Sequence, residues 1–298
     1  KNISFGVESS YSSYVSDRVE NGKQTISTNS LFGQIEIHTH KNVGTILGTR
    51  IDKYSNYKIV VSPRLGFIYI PVDHWKFRAT WGKGFRSPSF VERFIDWYHA
   101  DFDYTVIGNP DLKPETSTGY TAGIEYYLPS HYQASIMLYY NIFNNMIHDY
   151  SIEPKLLSYN NINKAEYKGI ELQGRWSISN SWGLSWGLNI IDNRDQDGNM
   201  IPNTQPLSSS TQINYQPQFN QWDLSLKVKW VDSFTPNEYD PISGTYKSSE
   251  RMNAYHMIDI IGNLKYWEHL TLSIGIKNIS NHTNTNFGPF IGRSFYIK

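Results

Sequence analysis

WDLSLKVKW, residues 222–230, places Trp222, Leu224, Leu226, Val228 and Trp230 on one side of an extended chain and Asp223, Ser225, Lys227 and Lys229 on the other. Period two with charges on the second face is the signature of a half-buried β-strand. The same reading fits WGLSWGLNI, where Trp182, Leu184, Trp186 and Leu188 oppose Gly183, Ser185, Gly187 and Asn189. It fits LTLSIGIKNI as well, with Leu270, Leu272, Ile274 and Ile276 against Thr271, Ser273, Gly275 and Lys277. No amphipathic helix of any length is legible, so the fold class is all-β.

Composition narrows the choice of β-architecture. The 298 residues carry 27 Lys+Arg and 27 Asp+Glu, a formal net charge of zero without the basic excess of a nucleic-acid footprint. No apolar run is long enough for a membrane-spanning helix. Yet aromatics reach 15 %, with 22 Tyr and 9 Trp in a chain that is polar on average. A transmembrane antiparallel β-barrel combines these features, because its strands alternate lipid-facing and lumen-facing residues; a soluble lectin or propeller has similar numbers. There is no cysteine, so disulfides and thiolate metal sites are absent. The chain opens on Lys1 without a signal-peptide pattern and reads as a processed or cleaved product.

Connection lengths decide among the architectures. Short links fall at 39–42, 71–74, 129–132, 179–182, 219–221 and 266–269, and long ones at 16–24, 86–115, 149–163, 192–206, 235–253 and 280–290. Only the link near Ser55 is short where a long one is due. Tight turns at one rim and long loops at the other are a membrane-barrel trait, with about fourteen strands of roughly ten residues and both termini on the short-turn side. Tyr54, Tyr57, Trp75, Tyr126, Tyr127, Trp182, Trp222, Trp230, Tyr266 and Trp267 are candidates for the interfacial aromatic girdles. Arg64, Glu171, Arg175, Asp223, Lys227, Lys229 and Lys277 are assigned to the lumen face, where charges can meet water or a plug.

Two segments interrupt this regularity. WGKGFRSPSF (81–90) breaks a strand with glycine and proline, and GNPDLKPETSTGYTAGIEYY (108–127) resumes one. Together with the ending IGIKNISNHTNTNFGPFIGRSFYIK, they closely resemble the TonB-dependent receptors of Gram-negative outer membranes. The motif residues are Phe85, Arg86, Ser87, Pro88 and Ser89 in the first box, and Asn109, Pro110, Asp111, Leu112, Lys113, Pro114 and Glu115 in the second. The resemblance spans at least residues 57–298. Both boxes are read as loop anchors, since their prolines cannot donate ladder hydrogen bonds.

The resemblance implies outer-membrane active uptake of a scarce, bulky solute, with a metal chelate (haem or a ferric siderophore) first and cobalamin or a glycan as alternatives. A passive or structural barrel and a soluble β-rich binding module are the readings outside that class. Family barrels have twenty-two strands around an N-terminal plug, whereas this sequence matches about the last fourteen strands and no plug. The expected partners are therefore membrane lipid and a second polypeptide bringing plug and first strands. The TonB–ExbB–ExbD complex is expected to act through that plug, and a surface lipoprotein is a further partner.

The resemblance also places His99, between the two boxes, where haem receptors of the family carry an axial iron ligand; Phe94, Trp97, Tyr98, Phe102 and Tyr104 could stack on a flat chelate. His99 is a metal ligand only if haem is the cargo, and no intrinsic cofactor is expected. NRDQDGNMIPN (193–203) is similar to half of a calcium loop through Asn193, Asp195, Asp197 and Gly198, but Thr204 stands where the bidentate Glu belongs. A polar hairpin tip with an Asp-Gly turn is the preferred reading. His40, His131, His148, His256, His269 and His282 show no metal-ligand spacing, and neither GxSxG nor HExxH occurs, so no enzyme activity is expected.

Overall fold

The computed structural model describes residues 1–298 apart from 20, 218–220, 241–244, 249, 250, 268, 269 and 285–287. Its strands are β1 (Asn2–Val15), β2 (Lys23–His40), β3 (Val43–Tyr54), β4 (Val60–Tyr69) and β5 (Trp75–Arg86). After β5 come a short helix, α1 (Phe90–Phe94), and the small strands β6 (Asp96–His99) and β7 (Tyr104–Ile107). The wall continues as β8 (Glu115–Leu128), β9 (Tyr132–Glu153), β10 (Leu156–Ser177), β11 (Trp182–Asp195), β12 (Leu207–Tyr215) and β13 (Trp222–Val231). A small hairpin, β14 (Asn237–Asp240) and β15 (Thr245–Ser248), precedes β16 (Tyr255–Trp267), β17 (Leu270–Lys277) and β18 (Ser294–Ile297).

Fourteen of these strands form one meander in which each pairs antiparallel with the next, from β1 through β5, β8 through β13, and β16 through β18. The expected strand count therefore stands for the wall, with β6, β7, β14 and β15 as additions inside long loops. No helix among the described residues is long and apolar enough to cross a membrane. β1 and β18 are the ends of the path, and their apolar side chains are open: Phe5 is 84 % and Phe295 73 % exposed.

Register turns the period-two pattern into two continuous faces. One apolar row crosses seven strands as Phe67, Ala79, Ala122, Leu138, Ile170, Ile190 and Leu207. Another crosses as Trp176, Leu184, Ile213, Leu226, Ile260, Ile276 and Phe295. The opposite face is polar, as in Arg175, Ser185, Gln212, Lys227 and Asp259. All seven predicted lumen residues fall on this second face by register, including Arg64 opposite Gly82, Glu171 opposite Asn189 and Lys277 opposite Ser294. The face also holds ion pairs that sequence spacing had not singled out. Arg50 donates to Asp52 (2.8 Å) and Glu8 (3.0 Å), and Glu125 pairs with both Lys76 and Arg78.

The aromatic girdles are partly corrected. At the short-turn rim Trp75 meets Tyr126 at 5.0 Å, and Tyr215 sits between Trp182 (4.5 Å) and Trp222 (5.3 Å). At the other rim the apolar face ends in a row of Trp81, Tyr120 and Tyr140, none of which had been assigned to a girdle. Tyr54 lies on the polar face by register and packs on Tyr57 and Phe85, because the wall opens beside it; Tyr57 lies in the loop. Residues 268 and 269, including His269, lie outside the described residues.

One loop expectation is overturned. Residues 149–163 are not an irregular connection: β9 and β10 stay paired from Trp176–Tyr132 up to Leu156–Glu153, turning at Pro154–Lys155. Tyr150 and Ile152 on one segment and Leu156, Leu157, Tyr159 and Ile162 on the other favour extended pairing, so the hairpin continues beyond the wall rather than fraying at its rim.

On this geometry Leu138→Arg, on the apolar face, costs about 2–4 kcal/mol of unfolding free energy in lipid vesicles. Gln173→Lys, on the polar face of the neighbouring strand, leaves the denaturant midpoint nearly unchanged. Equal losses would mean that the two faces do not meet different solvents.

Candidate functional site

The two boxes close on each other through one guanidinium. β5 ends at Arg86 because Pro88, buried two residues on, has no amide hydrogen for a ladder. Ser89 then caps α1: its hydroxyl accepts from the Glu92 amide (3.2 Å), while Glu92 accepts from the Ser89 amide (2.7 Å). Arg86 and Glu115 are cross-strand partners, and Nε and Nη2 of Arg86 donate to the two Glu115 oxygens at 2.6 Å each. The remaining nitrogen, Nη1, donates to both oxygens of Glu92 at 3.0 Å, and Glu115 also accepts from the Ile147 amide at 2.7 Å. Such a two-sided fork requires arginine's planar donor set; lysine has no equivalent.

The returning box is held as firmly. The Asn109 side chain accepts from the Asp111 amide (3.0 Å) and donates to the Tyr159 carbonyl on β10 (2.9 Å). Leu112 is buried, and Lys113 exchanges two 2.9 Å hydrogen bonds between its backbone and the Asn161 side chain. Arg93 donates to the Pro110 carbonyl at 3.1 Å. Gly108 crosses so close to the end of α1 that a Cβ would stand 2.4 Å from the Arg93 backbone, which only glycine avoids.

Between the boxes, β6 and β7 form a hairpin whose second strand pairs parallel with Leu156 and Leu157 at the tip of β10. Alternation then sorts the candidate ligand residues. His99 is half-buried among three rings, Trp97 at 4.6 Å, Phe102 at 4.8 Å and Tyr104 at 5.2 Å. Tyr98 points the other way and donates to Asp103 at 2.9 Å, and Asp103 also pairs with Lys155 at the β9–β10 turn. Phe94 is not part of the cluster; it lies on α1 beneath the Arg93 guanidinium at 4.6 Å. Four of the six candidate residues therefore share one site. A neutral imidazole can ligate iron, and the rings can receive a flat chelate.

Neighbouring loops complete this surface. Val19, buried in the β1–β2 loop, bridges Ile95, and the Asp96 amide donates to the Arg18 carbonyl at 2.9 Å. The Arg18 guanidinium lies 4.7 Å from the centre of the Trp97 ring. Sequence reading missed Arg18 and the Lys155–Asp103–Tyr98 link, since no local pattern ties residues so distant in the chain. Lys155, followed by Tyr98, holds the Asp103 carboxyl below its usual range, and Asp103 raises the Tyr98 phenol. Burial, opposed by Arg93, raises the Tyr57 phenol.

The calcium-like segment is a turn that uses its own acids. Asp195 accepts from the amides of Asp197 (3.0 Å) and Asn199 (2.8 Å), and Gly198 takes the φ of +81°. Asn193 faces Thr204 at 3.4 Å. Among the described residues no three His, Cys, Asp or Glu side chains converge as a metal site. His282 stacks on Tyr255 at 4.5 Å.

A lipid-facing apolar surface, a polar inner surface and long loops on one rim define the wall of a large outer-membrane β-barrel. The chain belongs to the family described as TonB dependent receptor-like, beta-barrel, which matches residues 2–279. The family is one of Gram-negative outer-membrane transporters rather than enzymes. The chain is 27 % identical over 295 residues to the iron-regulated outer membrane virulence protein of Vibrio cholerae, covering 93 % of this chain and 45 % of that one. It is 23 % identical over 280 residues to a probable hemoglobin and hemoglobin-haptoglobin-binding protein of Haemophilus influenzae, covering 83 % of this chain and 27 % of the relative. The chain thus spans less than half of these relatives. Among solved structures, a mutant of the ferric enterobactin receptor PfeA from Pseudomonas aeruginosa, in complex with enterobactin, superposes with a TM-score of 0.82 at 16 % identity. That superposition covers 99 % of this chain and 51 % of PfeA, a likeness of fold.

Arg86→Ala removes the fork between the boxes and exposes the 87–114 connection to trypsin. After allowance for the half-exposed guanidinium, the local loss is about 1–2 kcal/mol, a roughly ten-fold faster cleavage. Arg86→Lys gives most of the same loss. Unchanged cleavage in both variants would remove the fork from its anchoring role.

The Asp103 link has a defined pH window. Its folded pKa is lowered, so its contribution is complete above the unfolded carboxylate value of about 3.9 and is lost as pH falls through the folded value. Trp97 fluorescence in a background of silent tryptophan replacements therefore stays constant from neutrality to about pH 5 and changes only below about pH 4. A transition near pH 6 would assign the hairpin's closure to histidine instead.

Proposed function

We propose that the complete receptor actively imports a bulky metal chelate, haem or a ferric siderophore, and that this chain supplies barrel wall and outer capture loops. The observation carrying this reading is the His99 imidazole set among Trp97, Phe102 and Tyr104 on the hairpin that β10 supports. Phe102 is 60 % exposed, so the cluster is open to an arriving flat ligand. The relatives named for hemoglobin binding and the enterobactin-bound PfeA structure support a chelate as cargo.

Capture is a binding step on the outer loops, with His99 as the axial ligand if the cargo is haem. Release follows when the loaded and unloaded populations shift. TonB–ExbB–ExbD drives that shift through a plug. The plug and the remaining strands come from a second polypeptide or from further residues of the same one; either source covers the open edges of β1 and β18. A surface lipoprotein handing over cargo would meet the loops around Arg18 and Lys155. Residues 1–298 are one domain in this reading, a portion of the receptor barrel.

Haemin added to the detergent-extracted receptor shifts its Soret band, and His99→Ala abolishes the shift while the barrel keeps its heat-modifiable gel mobility. Phe102→Ala weakens haemin binding roughly ten-fold. A ferric catecholate that quenches tryptophan fluorescence when haemin has no effect assigns the siderophore branch. Binding of cobalamin alone, or of none of these, overturns the chelate reading.

A further inference from the structure

The His99 rings have beside them a cation that no carboxylate neutralises. Arg18 is fixed there by its backbone. The Asp96 amide donates to its carbonyl at 2.9 Å, and its own amide donates to the Ser16 hydroxyl at 3.1 Å. The next residue, Val19, is buried and bridges Ile95. Asn21 and Gly22 then turn the chain back with φ of 60° and 68°, and the Gly22 amide donates to the Val19 carbonyl at 2.8 Å. The guanidinium lies 4.7 Å from the centre of the Trp97 ring, which lies 4.6 Å from His99. One ring separates the cation from the imidazole.

A cation over an aromatic face keeps its charge and is held in place. Among the described residues the Arg18 guanidinium has no ion-pair partner and its N–H donors have no acceptor. Neighbouring cations are committed: Lys155 to Asp103, Arg86 to Glu92 and Glu115, and Arg93 to the Pro110 carbonyl. The acids of the hairpin stand elsewhere. Alternation along β6 puts Asp96 with Tyr98, on the face opposite Trp97 and His99. Asp103 is taken by Tyr98 and Lys155. Asp101 lies in the turn beyond His99, at the other end of β6 from the Arg18 contact. A ligand with an anionic rim is therefore drawn towards Arg18 and away from that turn.

We propose that Arg18 is a specificity-determining residue: its guanidinium pairs with a carboxylate on the rim of a porphyrin whose iron His99 ligates. The inference rests on the haem branch of the reading above and adds to it a preference for free carboxylates. Arginine suits the role because its planar donor fork matches a carboxylate, whereas a neutral rim offers it no partner.

The test compares haemin with haemin dimethyl ester, whose two carboxylates are blocked, by Soret titration of the detergent-extracted receptor. Wild type binds haemin roughly ten-fold more tightly than the diester, in line with a hydrogen bond to a charged group. Arg18→Gln loses that preference by weakening haemin alone, and Arg18→Lys recovers part of it. Heat-modifiable gel mobility checks that each variant keeps a folded barrel. Equal binding of the two porphyrins by wild type, with a Soret shift that still needs His99, would overturn the role of Arg18 and leave the haem reading standing. An equal loss for both porphyrins in Arg18→Gln would reduce Arg18 to a prop for Trp97 and overturn the proposal too. No Soret shift with either porphyrin overturns both readings together.

Discussion

In hydrocarbon a backbone amide or carbonyl has no water to bond, so every peptide group crossing the bilayer must find a partner on a neighbouring strand. That requirement organises this chain. The fourteen-strand meander satisfies it strand by strand, and because side chains alternate across each strand, the ladder also assigns every second residue to lipid. Rows such as Phe67–Ala79–Ala122–Leu138–Ile170–Ile190–Leu207 result from that register. A slip of one residue in any strand would turn its leucines inward and its lysines into lipid.

The same requirement limits where the ladder can stop. Prolines, which have no amide hydrogen for a ladder, mark where pairing stops towards the long-loop rim: Pro63 where β4 leaves β5 while staying in register with Thr49 of β3, Pro88 after β5, and Pro110 and Pro114 before β8. There side chains take over from backbone. Arg86 joins the end of β5 to the start of β8 and to α1, and Asn161 bonds the return segment to β10. The box residues form a junction, and the segment between them is carried on it.

Above the rim, β9 and β10 continue as a hairpin, and β7 adds to it as a parallel strand. This places the His99 rings on a supported platform rather than on a loose loop. The first loop packs against it through Val19 and Arg18, so surface loops that arise from separate hairpins form one receiving surface.

By itself the sequence determined the all-β class, the number of wall strands, the rim that carries the long loops, and the polar face holding Arg64, Arg175 and Lys227. Those properties depend on period two and on proline and glycine positions, which are local. The two boxes and His99 were legible because their residue types and order are contiguous. The sequence misjudged 149–163, since polar Asn and Tyr look like loop until a partner strand of matching length is present. It also assigned Tyr54 and Tyr57 to a girdle, because a strand-end aromatic looks the same whether it faces lipid or fills a gap. Only the tertiary structure decided that Tyr98 and Phe94 stand apart from His99, that Arg18 covers Trp97, and that β4 and β5 part at Pro63. Each of these is set by contacts between segments far apart in the chain, where the register of one hairpin against another fixes which side chains meet.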